Sequence, residues 1–103
     1  MRVATWRGEA RFTLDEVPDP VAGPAQVVVA IHTSGICGTD VHTTQGLFPR
    51  TPPMVLGHEY TGIVREVGPE VTRHAVGDRV GVGCLVGACH ECDSCAAGQE
   101  QEC

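Results

Sequence analysis

The chain has 103 residues, enough for one domain with one core and too few for a barrel enzyme or a two-domain enzyme. Hydrophobic residues make up 42% and charged residues 19%, a globular composition, and with only 4% aromatics the core must come mostly from Val, Ala, Leu and Ile. The net charge of −6 includes no basic run, which excludes a nucleic-acid face, and no apolar stretch approaches the ~20 residues of a membrane span.

Charges interrupt the N-terminal "MRVATWRGEARF" at once, so it does not read as a signal segment. The expected location is cytoplasmic, where six cysteines point to thiolates for metal or catalysis rather than to disulfides. "RVATW" and "ARFTLDEV" read as strands around the turn residues Arg7, Gly8 and Glu9. Phe12, Leu14 and Val17 give the second strand a roughly two-residue alternation. "PDPVAGPAQ" is a proline-rich loop. "VVVAIH", residues 27–32, predicts a strand buried on both faces.

In "SGICGTDVHTTQG", Thr39 is expected to cap a short helical turn running through Thr44, and Gly46 to end it. "LFPRTPPMVLG" is a loop. "YTGIVREVG" predicts a strand whose interior Gly62 marks a bulge or a close backbone approach. "VGDRVGVG" predicts another strand, entered by a Gly-Asp turn. The tail is rich in glycine and cysteine and has no periodicity. The residues therefore describe a mostly β domain with one small helix and one metal-like lobe.

That lobe carries Cys89, Cys92, Cys95 and Cys103 in the spacing Cys-x2-Cys-x2-Cys-x7-Cys. The two-residue gaps let one turn of backbone present successive sulfurs to an ion. The longer gap, with Gly98, lets the chain return with the fourth. Four thiolates close a tetrahedral zinc site, so its role is structural, and metal binding supplies the folding free energy that so irregular a segment lacks. The alternatives are disulfides, unligated thiols and an iron–sulfur cluster. His90 and Glu91 are read as spectators on the loop, and Cys84 as a small buried residue at a strand end.

A second constellation lies upstream in "GICGTDVH" and "LGHEYTG". Cys37, His42, His58 and Glu59 are all ligand types. Cys37 and His58 form a mixed sulfur–nitrogen pair suited to a catalytic zinc, which takes three protein ligands and leaves one position open. His32 and His74 carry no motif and are expected at the surface or in structural roles.

In their order and spacing, "VVVAIHTSGICGTDVH", "PMVLGHEYTGIVREVG", "VGDRVGVG" and the four-cysteine lobe resemble the zinc-dependent medium-chain alcohol dehydrogenases. The resemblance covers nearly the whole chain. "CGTD" and "GHEY" look like the polyol and threonine dehydrogenases, and "VGVGCLVGAC" like the cinnamyl-alcohol type. The family implies a GroES-like fold, a partly open β-barrel with one short helix and a zinc-binding lobe at 84–103. It also implies two zinc ions, with Cys37 and His58 on the catalytic one. The third ligand is Glu59 in some members; elsewhere it is a downstream residue, and Glu59 then sits behind the metal.

By the same resemblance, Asp40 orients the ligand histidine from behind the metal, and Thr39 and His42 relay a proton by way of the cofactor ribose. The plainer alternatives are a helix-start charge for Asp40, capping for Thr39 and an exposed helix residue for His42. The implied activity is hydride transfer between an alcohol or carbonyl and NAD or NADP. The partners are then small molecules, with no nucleic acid and no membrane, and homo-oligomerisation belongs to the complete enzyme. The glycine-rich strand–turn–helix of a Rossmann domain is absent. Residues 1–103 are thus expected to be the N-terminal part of a catalytic domain, inactive alone. The rival reading is a non-enzymatic zinc module or an inactive relic; a chaperonin subunit would share only the barrel.

Overall fold

The computed structural model describes residues 1–103 as two antiparallel three-stranded sheets, one short helix and an irregular C-terminal lobe. The first sheet has the order β2-β1-β4, with β1 at Arg2–Trp6, β2 at Phe12–Glu16 and β4 at Met54–Val55. The second has the order β3-β5-β6, with β3 at Val27–Ser34, β5 at Tyr60–Val67 and β6 at Arg79–Val82. No strand of one sheet pairs with a strand of the other. The architecture is therefore mostly β and not a closed barrel.

The β1–β2 hairpin turns where Gly8 and Glu9 take positive φ, 102° and 52°. The turn is fixed by Trp6, whose Nε1–H donates to the Glu9 carbonyl at 2.7 Å. Trp6 is 4% exposed and Val64 1%, and few other side chains are fully covered. The radius of gyration, 15.6 Å, exceeds the ~13 Å of an autonomous domain this size, which agrees with so small a core. The alternation of β2 does not mark an inward face, because Phe12 and Leu14 are both exposed.

The run at 27–32 is a strand, as expected, but it is not buried on both faces. Val27–Ala30 are half-buried, and the strand continues exposed from Ile31 to Ser34. The pairing with β5 slips between Ile31 and Thr33, which leaves His32 as the extra residue of a bulge. Gly62 sits opposite Ile31, and a Cβ on it would lie 2.2 Å from the Ala30 carbonyl oxygen. The close backbone approach expected of this glycine is present. Gly62→Ala is expected to lower stability by about 2–3 kcal/mol, because backbone rather than a flexible side chain must move. Urea unfolding followed by the fluorescence of Trp6 measures it, and an unchanged midpoint would show that β5 relaxes freely.

β6 is entered through the expected turn. Gly77 has φ 100°, and Asp78 Oδ2 accepts the Ala75 N–H at 2.9 Å. Helix α1 spans Gly38–Thr44 and ends at Gly46, φ 78°. Two further elements lie in the lobe: a one-turn helix α2 at Asp93–Ala96 and a 3-10 turn at Glu100–Glu102. No helix is long and apolar enough to cross a membrane.

Candidate metal centres

The first centre forms where α1 begins. Cys37 precedes the helix in extended conformation, φ −80° and ψ 154°. Asp40, three residues on, accepts the Cys37 N–H through Oδ2 at 3.0 Å. Its other oxygen accepts the Gly57 N–H at 3.3 Å and lies 3.3 Å from His58 Nδ1. One carboxylate thus closes the helix start and docks the "GHE" loop against it. The expected cap is corrected accordingly: Cys37 occupies the cap position, and Thr39 lies inside the helix. Its Oγ1 is 3.2 Å from His58 Nε2. Thr39 is free for that contact because Asp40 already holds the helix start.

Glu59 is fixed through its backbone. Its carbonyl accepts from the Gly35 N–H at 2.9 Å and from Ser34 Oγ at 3.2 Å, at the exit of β3. A side chain at Gly35 would reach within 3.3 Å of Glu59 Oε2, so the bare glycine leaves that carboxylate its place. The outcome is a group in which Cys37 Sγ, a His58 ring nitrogen and a Glu59 carboxylate oxygen all lie within 4.8 Å of one another. Glu59 Oε1 is 4.0 Å from His58 Nε2.

Electrostatics couple the same residues. Hydrogen bonding from the Thr39 side chain, then from its backbone and from His58, lowers the Cys37 pKa. The hydrogen bond to Cys37 raises that of His58, and the Asp40 charge adds to it. The thiol is therefore drawn toward thiolate, the ligand form. Thiolate, imidazole and carboxylate make a mixed donor set of three with room for a fourth partner, which suits zinc. His42 stands apart: it is exposed on α1 and tilted 51° against Phe48, ring centroids 6.0 Å apart.

Asp40 supplies a direct test. Asp40→Asn keeps a helix-start acceptor but removes the charge behind His58, and is expected to weaken zinc binding at this centre about 10–100-fold. Asp40→Ala should additionally cost about 1 kcal/mol of helix stability. Competition with a chromophoric zinc chelator separates the two variants.

The second centre is the C-terminal lobe. Cys89 Sγ accepts the backbone N–H groups of Glu91 at 3.4 Å and Cys92 at 3.3 Å, with His90 between in a left-handed conformation, φ 59°. Cys92 precedes α2, and Cys95 lies buried within it. Gly98, φ 72°, then reverses the chain. The 3-10 turn delivers Cys103, whose Sγ accepts the Cys89 N–H at 3.3 Å. The four sulfurs all lie within 4.8 Å of one another. Cys89 and Cys95 are 3.9 Å apart, against ~3.8 Å for the edge of a tetrahedron built on Zn–S bonds of ~2.3 Å. The donor set and its spacing fit a closed four-thiolate zinc site. His90 and Glu91 are not in the group.

Two backbone N–H donors, Glu91 first, bring the Cys89 pKa down to about 6, and burial pushes that of Cys95 up to about 11. In the metal-free chain the Cys89 contribution to stability is complete above the ordinary value of 9.0 and is lost as pH falls to about 6. The Cys95 contribution has the opposite sign: it is complete below 9.0 and is lost as pH rises through about 11. Zinc uptake near neutral pH is therefore expected to release fewer than four protons from the four thiols, with Cys95 supplying one of them. Calorimetry in buffers of different ionisation enthalpy counts them. A full four would mean that Cys89 is not already ionised.

Cys84 is exposed and belongs to neither group, so the expectation of a buried strand-end residue is corrected. The chain leaves β6 at Val82, and Cys84 lies in the exposed stretch just beyond it. His32 and His74 are both exposed. Sequence reasoning missed α2 and the 3-10 turn. The signal for the first was Asp93 just after a ligand cysteine, with a reversing glycine at 98.

Two open antiparallel sheets, with one group of three candidate ligands and one cluster of four thiols, define a β domain with two candidate metal centres. Its kind is established by comparison: the alcohol dehydrogenase GroES-like domain model matches residues 23–103. The chain belongs to the zinc-dependent medium-chain alcohol dehydrogenase family. An NADP-dependent alcohol dehydrogenase C of Mycolicibacterium smegmatis is 54% identical over 82 residues, 79% of this chain and 24% of that protein. A sorbitol dehydrogenase of Halalkalibacterium halodurans is 38% identical over 98% of this chain and 29% of its own length. A solved cinnamyl alcohol dehydrogenase of Sorghum bicolor superposes with a TM-score of 0.88 at 34% identity, over 99% of this chain and 30% of that one. The chain thus spans 24–30% of the length of these proteins.

Proposed function

We propose that residues 1–103 are the N-terminal part of the catalytic domain of a zinc-dependent alcohol dehydrogenase. The carrying observation is the convergence of Cys37, His58 and Glu59 within 4.8 Å, with the Thr39 hydroxyl beside His58. The complete enzyme moves a hydride between an alcohol or carbonyl and NAD or NADP; NADP is the cofactor in the name of the M. smegmatis relative. The nucleotide-binding Rossmann domain of that enzyme lies outside residues 1–103, and residues 84–103 are its structural zinc lobe.

Cys37, His58 and Glu59 would hold the catalytic zinc, which supplies Lewis acidity toward the oxygen of the alcohol or carbonyl. The rest is the work of this chain's own groups. Asp40 faces His58 Nδ1 and so keeps Nε2 as the metal-facing nitrogen. Thr39 offers a hydroxyl at Nε2, placed to take a proton from the reacting alcohol and pass it on. His42, one turn along α1 and exposed, is the group placed to hand that proton on to solvent. Leu47 and Phe48 are exposed just past α1.

Zinc per chain, counted by elemental analysis on reduced, chelator-free protein, tests this reading. Two zinc ions are expected, one at each centre. One ion would mean that Glu59 does not complete the Cys37–His58 site, and that the third ligand lies elsewhere. None, in a chain with an intact β circular dichroism spectrum, would overturn both centres.

A further inference from the structure

Helix α1 ends by turning the chain back onto its own last turn. Gly46 takes φ 78°, a conformation open to glycine and costly to most other residues. Its N–H donates to the Thr43 carbonyl at 3.1 Å, and the Leu47 N–H donates to the His42 carbonyl at 2.9 Å. This pair of reversed bonds is a Schellman ending, and it anchors the returning chain on His42 itself. The residues that follow are stiff. Pro49 has a fixed φ and biases Phe48 before it toward extended backbone. The Arg50 N–H then donates to the Phe48 carbonyl at 2.8 Å, a tight turn of three residues. The Phe48 ring is thereby laid against the His42 imidazole, with centroids 6.0 Å apart and the planes at 51°.

The polar side chains nearest to His42 along α1 are engaged elsewhere. Thr43 Oγ1 donates to the Thr39 carbonyl and Thr44 Oγ1 to the Val41 carbonyl, both at 2.8 Å. Asp40 is taken up by the N–H groups of Cys37 and Gly57. A histidine left alone at an exposed helix end divides its time among staggered rotamers, and an aromatic neighbour removes part of that freedom. Thr39 and His42 are three residues apart, so α1 sets them on one face.

We propose that Phe48 is a positioning residue: its ring holds the His42 imidazole ready for the proton that Thr39 passes on. The proposal rests on the reading of Thr39 and His42 as a proton path. On that path the imidazole takes a proton on one ring nitrogen and releases one from the other to water. It must therefore address Thr39 and solvent at the same time, which one orientation does better than several. Released among three staggered wells, the imidazole would spend only about a third of its time in each. Loss of the ring is thus expected to lower kcat by roughly 3–10-fold, short of the ~10²-fold or more expected when the imidazole itself is removed.

Two measurements test this. In the 103-residue chain, the ring-proton NMR shifts of His42 are compared before and after Phe48→Leu. They are expected to move toward those of the exposed His32 and His74, and unmoved shifts would overturn the contact. In the complete dehydrogenase proposed for this domain, Phe48→Leu is expected to lower kcat with KM for the alcohol unchanged. Phe48→Tyr, which keeps the ring, should stay near the unmodified rate. Added imidazole, a diffusible base that bypasses the relay, should restore both Phe48→Leu and His42→Ala. A raised KM with kcat kept would make Phe48 a substrate contact and overturn the proposal, as would a fall in kcat that imidazole does not relieve. If His42→Ala loses rate and Phe48→Leu does not, positioning alone fails. If His42→Ala keeps its rate, the proton path fails and the role of Phe48 with it.

Discussion

Cys37→Ser, made in the complete dehydrogenase proposed for this domain, is expected to remove one zinc per chain and to lower kcat/KM by about 10³-fold or more. The size of the effect reflects the loss of the metal. A bound metal stabilises charge on the reacting oxygen by several kcal/mol, and about 4 kcal/mol corresponds to ~10³ in rate. Serine keeps the volume of the thiol but is not ionised near neutral pH. Cys37 is lowered toward thiolate by Thr39 and His58, a shift without meaning for an alcohol. The fold should persist, because Asp40 grips the Cys37 backbone N–H and not its sulfur. Metal analysis and circular dichroism on one sample separate loss of the ion from loss of structure. Cobalt substitution adds a spectral check, since the thiolate-to-cobalt band of this centre should vanish while that of the lobe remains. A variant that keeps both its zinc and its rate would end the assignment of Cys37 as a ligand.

Thr39→Ala should behave differently. Its hydroxyl contacts His58 Nε2 but is not among the three ligand groups. Zinc content is expected to stay unchanged while kcat falls by about 10²-fold or more, the usual contribution of a positioned proton-transfer group. A loss of zinc instead would make Thr39 a structural support of His58.

Much of this was legible in the residues, and the exceptions share a cause. The cysteine spacing exposed the lobe because metal geometry is local: gaps of two residues and a reversing glycine suffice to bring sulfurs together. Gly46, Gly62 and Gly77 were equally readable, since a glycine's role depends on its own backbone. β4 was not readable. Its two residues lie in a proline-rich loop and become a strand only by pairing with Thr5 and Trp6 of β1, some fifty residues away. The cap on α1 was missed because Asp40 reaches both Cys37 and Gly57, and the second partner comes from another loop. The burial of 27–32 was overestimated because an apolar run reports what a strand could cover, not what lies over it. Glu59 stood open between ligand and support. Only its backbone bonds to Ser34 and Gly35 bring its carboxylate into the group.

Cys95→Ser is expected to have the largest effect on the lobe: zinc there should bind more than ~100-fold more weakly, and residues 84–103 should lose their fixed conformation. Removing a group that merely orients a ligand already costs about 10–100-fold, and on the proposed reading Cys95 is a direct sulfur donor. The lobe has little else to hold it. Cys95 is its one buried apolar residue, at 9% exposure, while Leu85 and Val86 are exposed at 60% and 80%. Its helix is a single turn, far shorter than the ~12–15 residues at which an isolated helix becomes even marginal. On the zinc reading of the lobe, the free energy that orders it comes from the metal, for which structural zinc sites supply an apparent ~10–16 kcal/mol. The two sheets should be spared, since Trp6 and Val64 lie at their centre and no lobe element pairs with them. Limited proteolysis should therefore cleave within 84–103 and leave an upstream core whose Trp6 fluorescence is unchanged, and chelation of the unmodified chain should reproduce the same pattern. Resistance of the variant to cleavage would mean that the lobe packs by contacts other than its metal.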